Sequence, residues 1–524
     1  MRIISLLALL FITSNAISQT WSDDVAQIVY DKCTKCHHTG GVGPFPLMSY
    51  AEASPMAAAM AASISTDEMP PWPPNNDYQQ YVHDRSLTAS EKTTILDWIT
   101  SGTPEGTPGN TPPPPVYTGA SLLGNGDLEV QIPTYMSKAT TSDDYVCFAV
   151  PSGLTANRTV RAIEIIPGNP AIVHHALIYV DPNGNNITDT VGGDCGGPNS
   201  LTTELMMGYT PGSSPMVLPS VSPLKMGMDM QANSQILFAM HYPEGSYGEY
   251  DSTKVIFHFY PPGETGIRQV ATARLLENWT FSLPPNQETA VSDIYPNAGG
   301  FLADYSLISV FPHMHLLGKR MEVYGILPTL DTLKLIDIPK WDFEWQDFYF
   351  YKNLQKAEIG TVLHADAVFD NTASNPSNPS SPPITVGAGL NTTDEMMLAF
   401  MHYMTYLPGD ENYNMDSLLN LSTVSIMEES QEEGLFTAYP NPFSHGINIY
   451  SPKLKSGDQL SVFVYDMHGK KITELISNTT LSSSELLLEW DGNNSKGESV
   501  PSGMYYVSVN RNGEMSNHRV VKQK

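Results

Sequence analysis

"FPHMHLLGK", Phe311–Lys319, follows the apolar run "DYSLISV", Asp304–Val310, without a break. That run reads as a buried strand. In extended chain, side chains two apart point the same way. His313 and His315 therefore converge on one point, and Met314 faces away. Two imidazoles on one face of a strand entering a core have the geometry of a two-nitrogen metal clamp. Two hydrogen-bonded core histidines satisfy the same pattern, and a single HxH does not decide between them.

The stretch sits inside a long β-patterned region. From about 117 to 425, short β-branched and aromatic runs alternate with Gly, Pro, Asn and Asp; examples are "ALIYVD", Ala176–Asp181, and "TVLHADAVFD", Thr361–Asp370. This spacing predicts antiparallel β-sandwiches. The region exceeds one sandwich, so two are expected, over 125–262 and 263–425, joining near "YPPGETG" (260–266). An acidic linker, "EESQEE" (428–433), leads to a last small β-domain over 435–524.

Upstream the pattern is helical. Residues 20–107 open with "DDVAQIVYDKCTKCHHTG" and close with "SLTASEKTTILDWITSGTPEG". Ser86 or Thr88 can cap the closing helix, with Glu91 three residues after Thr88 and Ile95, Trp98 and Ile99 at helical spacing. Proline-rich chain (108–124) follows as an extended linker. At the front, "MRIISLLALLFITSNAISQT" reads as a secretory signal peptide over 1–19, too short to persist as a membrane span. The chain is expected to be exported, secreted or at the cell surface. Among 524 residues the net charge is −28, which disfavours nucleic acid and anionic lipid as partners.

The four cysteines divide. Cys147 and Cys195 are expected to pair in an oxidising compartment. Cys33 and Cys36 form "CTKCHH". CxxCH is the attachment signature of c-type haem, with His37 as axial ligand; a local disulfide or redox dithiol is the competing reading. Met69, in "DEMPPWPP", is the choice for sixth ligand, and His38 is a bystander.

Four further clusters carry donors. "NPAIVHHALIYVD" holds His174 and His175, which share a metal only if the strand bulges or ends there. "ILFAMHYPEG" holds His241, and "TTDEMMLAFMHYM" holds Met396. "KMGMDMQ" places Met226, Met228 and Met230 on alternate positions, which reads as an apolar strand face. Five histidines near strand ends, with a thioether in reach, suit copper better than zinc.

At these residues the chain resembles the copper type II, ascorbate-dependent monooxygenases, the peptidylglycine and dopamine hydroxylating group. The resemblance rests on "DYVC", "VHHALIYV", "AMHYPEG", "FPHMHLLGK" and "DEMM" in that order. It implies two tandem antiparallel jelly-roll sandwiches and two copper ions. One ion would lie on His174, His175 and His241; the other, which takes O2, on His313, His315 and Met396. It also implies a Cys147–Cys195 disulfide, an ascorbate-like reductant and hydroxylation of a substrate C–H with O2. The pattern departs from the peptide-amidating members at two places. Phe311 stands where they have a substrate-gripping arginine, and Phe400 where they have a tyrosine. Phe cannot clamp a carboxylate, so an apolar or aromatic small molecule is the expected substrate. "FDNTASNPSNPS" (369–380) and "WDFEWQ" (341–346) point to a bacterial branch.

Residues 20–107 look like a small cytochrome c, a tethered redox donor for the copper pair. The tail resembles type A sorting domains of type IX secretion through "YPNPF", "VYDMHGKKI" and "WDGNNSKGESVPSGMYYV", so the secretion machinery is an expected partner and His445, His468 and His518 are not ligands. A non-catalytic copper or electron-transfer protein is the second reading. A zinc hydrolase is weaker, since neither HExxH nor GxSxG occurs.

Overall fold

A computed structural model describes residues 19–523, except 116, 118–120, 201, 431–436, 440, 442, 445, 452–453, 467–469, 482–485 and 513. The signal-peptide reading of 1–19 therefore lies almost wholly outside the described residues, as do His445 and His468. His518 lies on the strand Glu514–Lys522, opposite Val507.

The chain is mainly β, with its helices concentrated at the N-terminus. Three pairs of sheets each enclose an apolar core. In the first pair, a four-stranded sheet in the order Asp144–Pro151, Gln235–Tyr242, His175–Asp181, Glu204–Tyr209 faces a larger sheet built on Lys254–Phe259, Arg158–Ile166 and Leu224–Met230. Phe148, Ile178 and Phe238 meet Val160, Ile163 and Phe257 between them. Met226, Met228 and Met230 lie in this same core. The second pair sets Ala271–Asn278, Met397–Thr405, Tyr305–His313 and Tyr349–Ala357 against Glu288–Tyr295, Val362–Asp370, Gly318–Ile326 and Thr332–Ile338. The strand Ile267–Gln269 still pairs with Leu224–Met230, so the crossover between the pairs falls a few residues after "YPPGETG".

The opening run behaves as a strand buried on both faces, which explains its lack of alternation. Leu307 and Val310 enter the core of the second pair, while Ile308 and Phe311 enter the apolar seam with the first. A register shift between Leu307 and Ser309 lets both hold. The strand ends at His313, and Met314 turns into the second core.

A 16-residue helix, Met415–Ser430, departs from the expected β pattern and acidic linker. The Asn414 side chain caps it by accepting the Ser417 N–H (3.0 Å). Met415, Leu418, Leu419 and Ile426 bury against both sandwiches, and the Ser422 hydroxyl oxygen accepts the Ser220 N–H at 2.8 Å. Tertiary burial of that face overrides the acid run that reads as linker.

The N-terminal helices pack Trp21, Val29, Tyr30, Met60, Ile95 and Trp98 together. Thr88 and Glu91 close a capping box on the helix Ala89–Thr100. This unit does not hang free. Tyr81 bridges to Tyr351, the Val82 N–H donates to Phe350 O (2.9 Å) and the Lys352 N–H to Gln80 O (3.0 Å). Residues 80–82 thus cover the free edge of the second sandwich. At the C-terminus a third pair of sheets encloses Ile449, Trp490, Val462 and Val507. There the Lys522 ammonium is held by Gly492 O (3.1 Å), Val500 O (2.8 Å) and the Ser499 hydroxyl (2.6 Å).

Candidate metal centres

His174, His175 and His241 gather with one ring nitrogen each, all within 4.8 Å of one another. His175 opens its strand and His174 precedes it, so the pair straddles the strand end and both rings can reach one point. His241 lies opposite His175 on the neighbouring strand. The Nδ1 atoms of His175 and His241 are 3.1 Å apart, and those of His174 and His175 are 3.4 Å apart. Bonds of about 2.0–2.1 Å to a single ion span such separations. Asp143 Oδ2 lies 3.2 Å from His241 Nε2, so that nitrogen carries the proton and Nδ1 keeps its lone pair. Tyr145 stacks on His241 at 4.3 Å, and its hydroxyl meets that of Thr392 from the second sandwich.

His313 and His315 lie with ring centroids 5.1 Å apart, nearly perpendicular. Here the other nitrogen is tied down. His313 Nδ1 donates to Gln346 Oε1 (2.6 Å) and His315 Nδ1 to Asp394 O (3.0 Å), which leaves both Nε2 atoms as ligands. Gln346 is itself fixed by donating to Phe343 O (2.6 Å). The turn between the histidines hangs on Glu395, whose carboxylate accepts the N–H of His315 (2.9 Å) and of Leu317 (2.6 Å). Burial pushes the Glu395 carboxyl up to about 8, against the pull of those backbone donors. Met396 is buried and follows directly, just before the strand Met397–Thr405 whose Leu398 pairs with His313.

Burial favours the neutral form of His174, His175, His313 and His315. Desolvation, then the neighbouring His241, lowers His174 to about 4; desolvation, then His315, lowers His313 to about 3. His175 and His315 shift down for the same leading reason. A neutral imidazole presents a lone pair, so these four rings can accept a cation without first losing a proton. Copper fits the all-nitrogen set of His174, His175 and His241, and the free nitrogens of His313 and His315 offer a second two-nitrogen set.

One aromatic ring, that of Phe343, neighbours a histidine of each nest. Phe343 is 6.1 Å from His174 and 6.0 Å from His315, centroid to centroid. Trp341, in the same loop, donates from Nε1 to His315 O at 3.2 Å. "WDFEWQ" stood out in the sequence, but nothing in its spacing tied it to the histidines. Phe311 stacks on Phe348 at 4.8 Å and lies 5.9 Å from Phe400, an aromatic wall beside His313.

The remaining candidates separate. Cys147 and Cys195 form a disulfide. Cys33, Cys36 and His37 share one turn, with the His37 N–H on Cys33 O at 3.0 Å. His37 Nδ1 donates to Phe45 O at 2.9 Å, leaving Nε2 open, and Gly43 lies so close that a Cβ there would sit 2.7 Å from that Nδ1. Burial pushes the Cys33 thiol up to about 12 and raises Cys36. Met69 is 37% exposed and follows Asp67, a residue in the left-handed region, by two positions. His38 is a bystander, stacked on Tyr117 at 4.2 Å. The CxxCH turn faces the first sandwich: Lys35 donates to the Ser214 hydroxyl (2.8 Å), Arg85 to Gly212 O (3.3 Å), and Cys36 Sγ occupies the space a Cβ on Gly212 would need.

Residues 276–419 match the family described as copper type II ascorbate-dependent monooxygenase, C-terminal domain, and residues 437–523 match the secretion system C-terminal sorting domain. The chain carries both domains, and the second marks it for export through the type IX system, to the cell surface or beyond. No helix among the described residues is long and apolar enough to cross a membrane. Among solved structures, PorZ of Porphyromonas gingivalis, a surface component of the type-IX secretion system, is 24% identical over 18% of this chain and 12% of its own, with a TM-score of 0.14. Dimeric latent PorU of the same organism is 11% identical over 73% of this chain and 34% of its own, with a TM-score of 0.17. The chain thus spans a minor part of these proteins.

Proposed function

We propose that this chain, with its monooxygenase and sorting domains, is an exported copper-dependent monooxygenase that hydroxylates a C–H bond of a small apolar molecule with O2. The observation that carries the reading is the paired set of histidine nests with opposite open nitrogens, Nδ1 in one and Nε2 in the other, with Phe343 beside a ring of each. His174, His175 and His241 would hold one copper; His313, His315 and Met396 would hold the other. When bound, copper supplies one-electron chemistry and a site for O2. The protein's part is positional. Asp143, Gln346 and Asp394 O fix which ring nitrogen is free, and Glu395 holds the turn that spaces His313 from His315. Phe311 and Phe400 give the reacting side an apolar wall with no carboxylate clamp.

Each turnover needs two electrons, from an ascorbate-like reductant or through a c-type haem on Cys33, Cys36 and His37. The Lys35, Cys36 and Arg85 contacts would seat that haem unit against the first sandwich, where a fixed contact raises effective concentration above that of a free donor. The units proposed here are 20–107, 125–262, 263–425 and 435–524, with residues 80–82 shared.

Metal analysis with an optical spectrum tests the reading: two coppers and a c-type haem band are expected, and zinc without haem defeats it. Changing Cys33 and Cys36 to Ala should slow copper reduction by an external macromolecular donor. Unchanged reduction kinetics would rule out the relay while leaving the monooxygenase reading intact. A non-catalytic copper carrier remains the second reading, and Met396 separates the two.

A further inference from the structure

We infer that Phe343 is the specificity-determining residue of the site: its ring neighbours a histidine of each nest, and a substrate reaches His313 and His315 only as an uncharged flat group that takes over its stacking. The substrate-class part rests on the reading above; the placement of the ring does not. Phe343 stacks near-parallel to His174 (24°) and edge-on to His315 (84°). Its loop is pinned to the reacting nest at both flanks, by Trp341 to His315 O and by Gln346 to His313. The ring itself is only half-buried, so it can be displaced while its flanks stay fixed. The loop carries three acids, Asp342, Glu344 and Asp347, of which the first two are exposed. Arg85 already pairs with Asp347 at 3.5 Å. A carboxylate-bearing substrate would have to shed its hydration against Phe311, Phe348 and Phe400 on the wall.

The test uses the full-length, metal-free chain, so its outcome does not depend on copper binding. Diethyl pyrocarbonate acylates accessible neutral imidazole, and peptide mass mapping reads His174 and His315 separately. Phe343→Ala should raise the acylation rate of both several-fold, Phe343→Tyr should keep the wild-type rates, and the fully buried His402 should stay unreacted in all. Phe343→Leu, which keeps apolar bulk, should give intermediate rates and serves where the alanine variant does not fold. Rates equal to wild type in the alanine or leucine variant overturn the assignment. In the wild type, benzyl alcohol should slow acylation of both histidines and benzoate should not. Equal protection by the two compounds, or protection by neither, overturns the substrate class while leaving the ring's placement standing.

Discussion

Changing Met396 to Ile is expected to lower O2-dependent hydroxylation at least about a hundredfold, a loss of roughly 2.7 kcal/mol of transition-state stabilisation, while one copper stays bound. The side chain keeps its bulk and apolar character, and the buried pocket around residue 396 is refilled. What disappears is the thioether, the soft donor proposed to join His313 and His315. The all-imidazole nest shares no residue with that pocket, so copper on His174, His175 and His241 should survive, read as metal stoichiometry and as an unchanged Cu(II) electron resonance signal. Turnover at the wild-type rate in the isoleucine variant would remove Met396 from the site. A wild-type chain that binds two coppers and never consumes O2 would favour the electron-transfer reading.

Removing Asp410 should have the largest effect on stability. Its carboxylate accepts two hydrogen bonds from the Arg268 guanidinium, at Oδ1 (2.5 Å) and Oδ2 (2.8 Å). It also accepts the Ser306 hydroxyl (2.6 Å) and the Leu407 N–H (2.9 Å). Arg268 sits on the last strand of the first sandwich and Asp410 beyond the last strand of the second, so the pair ties one to the other. The Asp410 side chain is 3% exposed and that of Arg268 18%. Asp410→Ala leaves a mostly buried cation without its anion, at a cost of about 3 kcal/mol. Burial pushes the Asp410 carboxyl up, but the bonds from Arg268, Leu407 N–H and Ser306 hold it below the ordinary 3.8. A lowered carboxylate contributes fully above its unfolded value and loses that contribution as pH falls through its folded one. The gap in unfolding midpoint between wild type and variant should therefore be full at neutral pH and shrink in acid below about 3.8. A gap independent of pH would mean the loss is one of packing alone.

The sandwiches were legible because antiparallel strands separated by Gly, Pro and Asn leave a period that needs no tertiary knowledge. The histidine nests were legible as spacing: HxH at a strand end, and HH where a strand begins. The partners that select the free nitrogen were not. Gln346 lies 33 residues from His313, and Asp143 lies 98 residues before His241, so only the fold brings each pair together. Phe343 belongs to a conspicuous run, yet aromatic residues in a loop carry no signal of what they cover. The helix Met415–Ser430 was misread because its acidic end resembles a linker, and its apolar face gains meaning only from the seam it plugs.

The clasp of residues 80–82 over Tyr349–Ala357 bears on how the protein should be produced. A truncation that discards the first hundred residues to isolate the oxygenating half would strip Tyr81 and Val82 from two cores and bare a row of peptide groups on the outermost strand. Such a fragment would self-associate through that exposed margin, and its poor solution behaviour would say nothing about its chemistry. Cutting instead behind the helix Met415–Ser430 removes only the export address and leaves every seam between the other units closed.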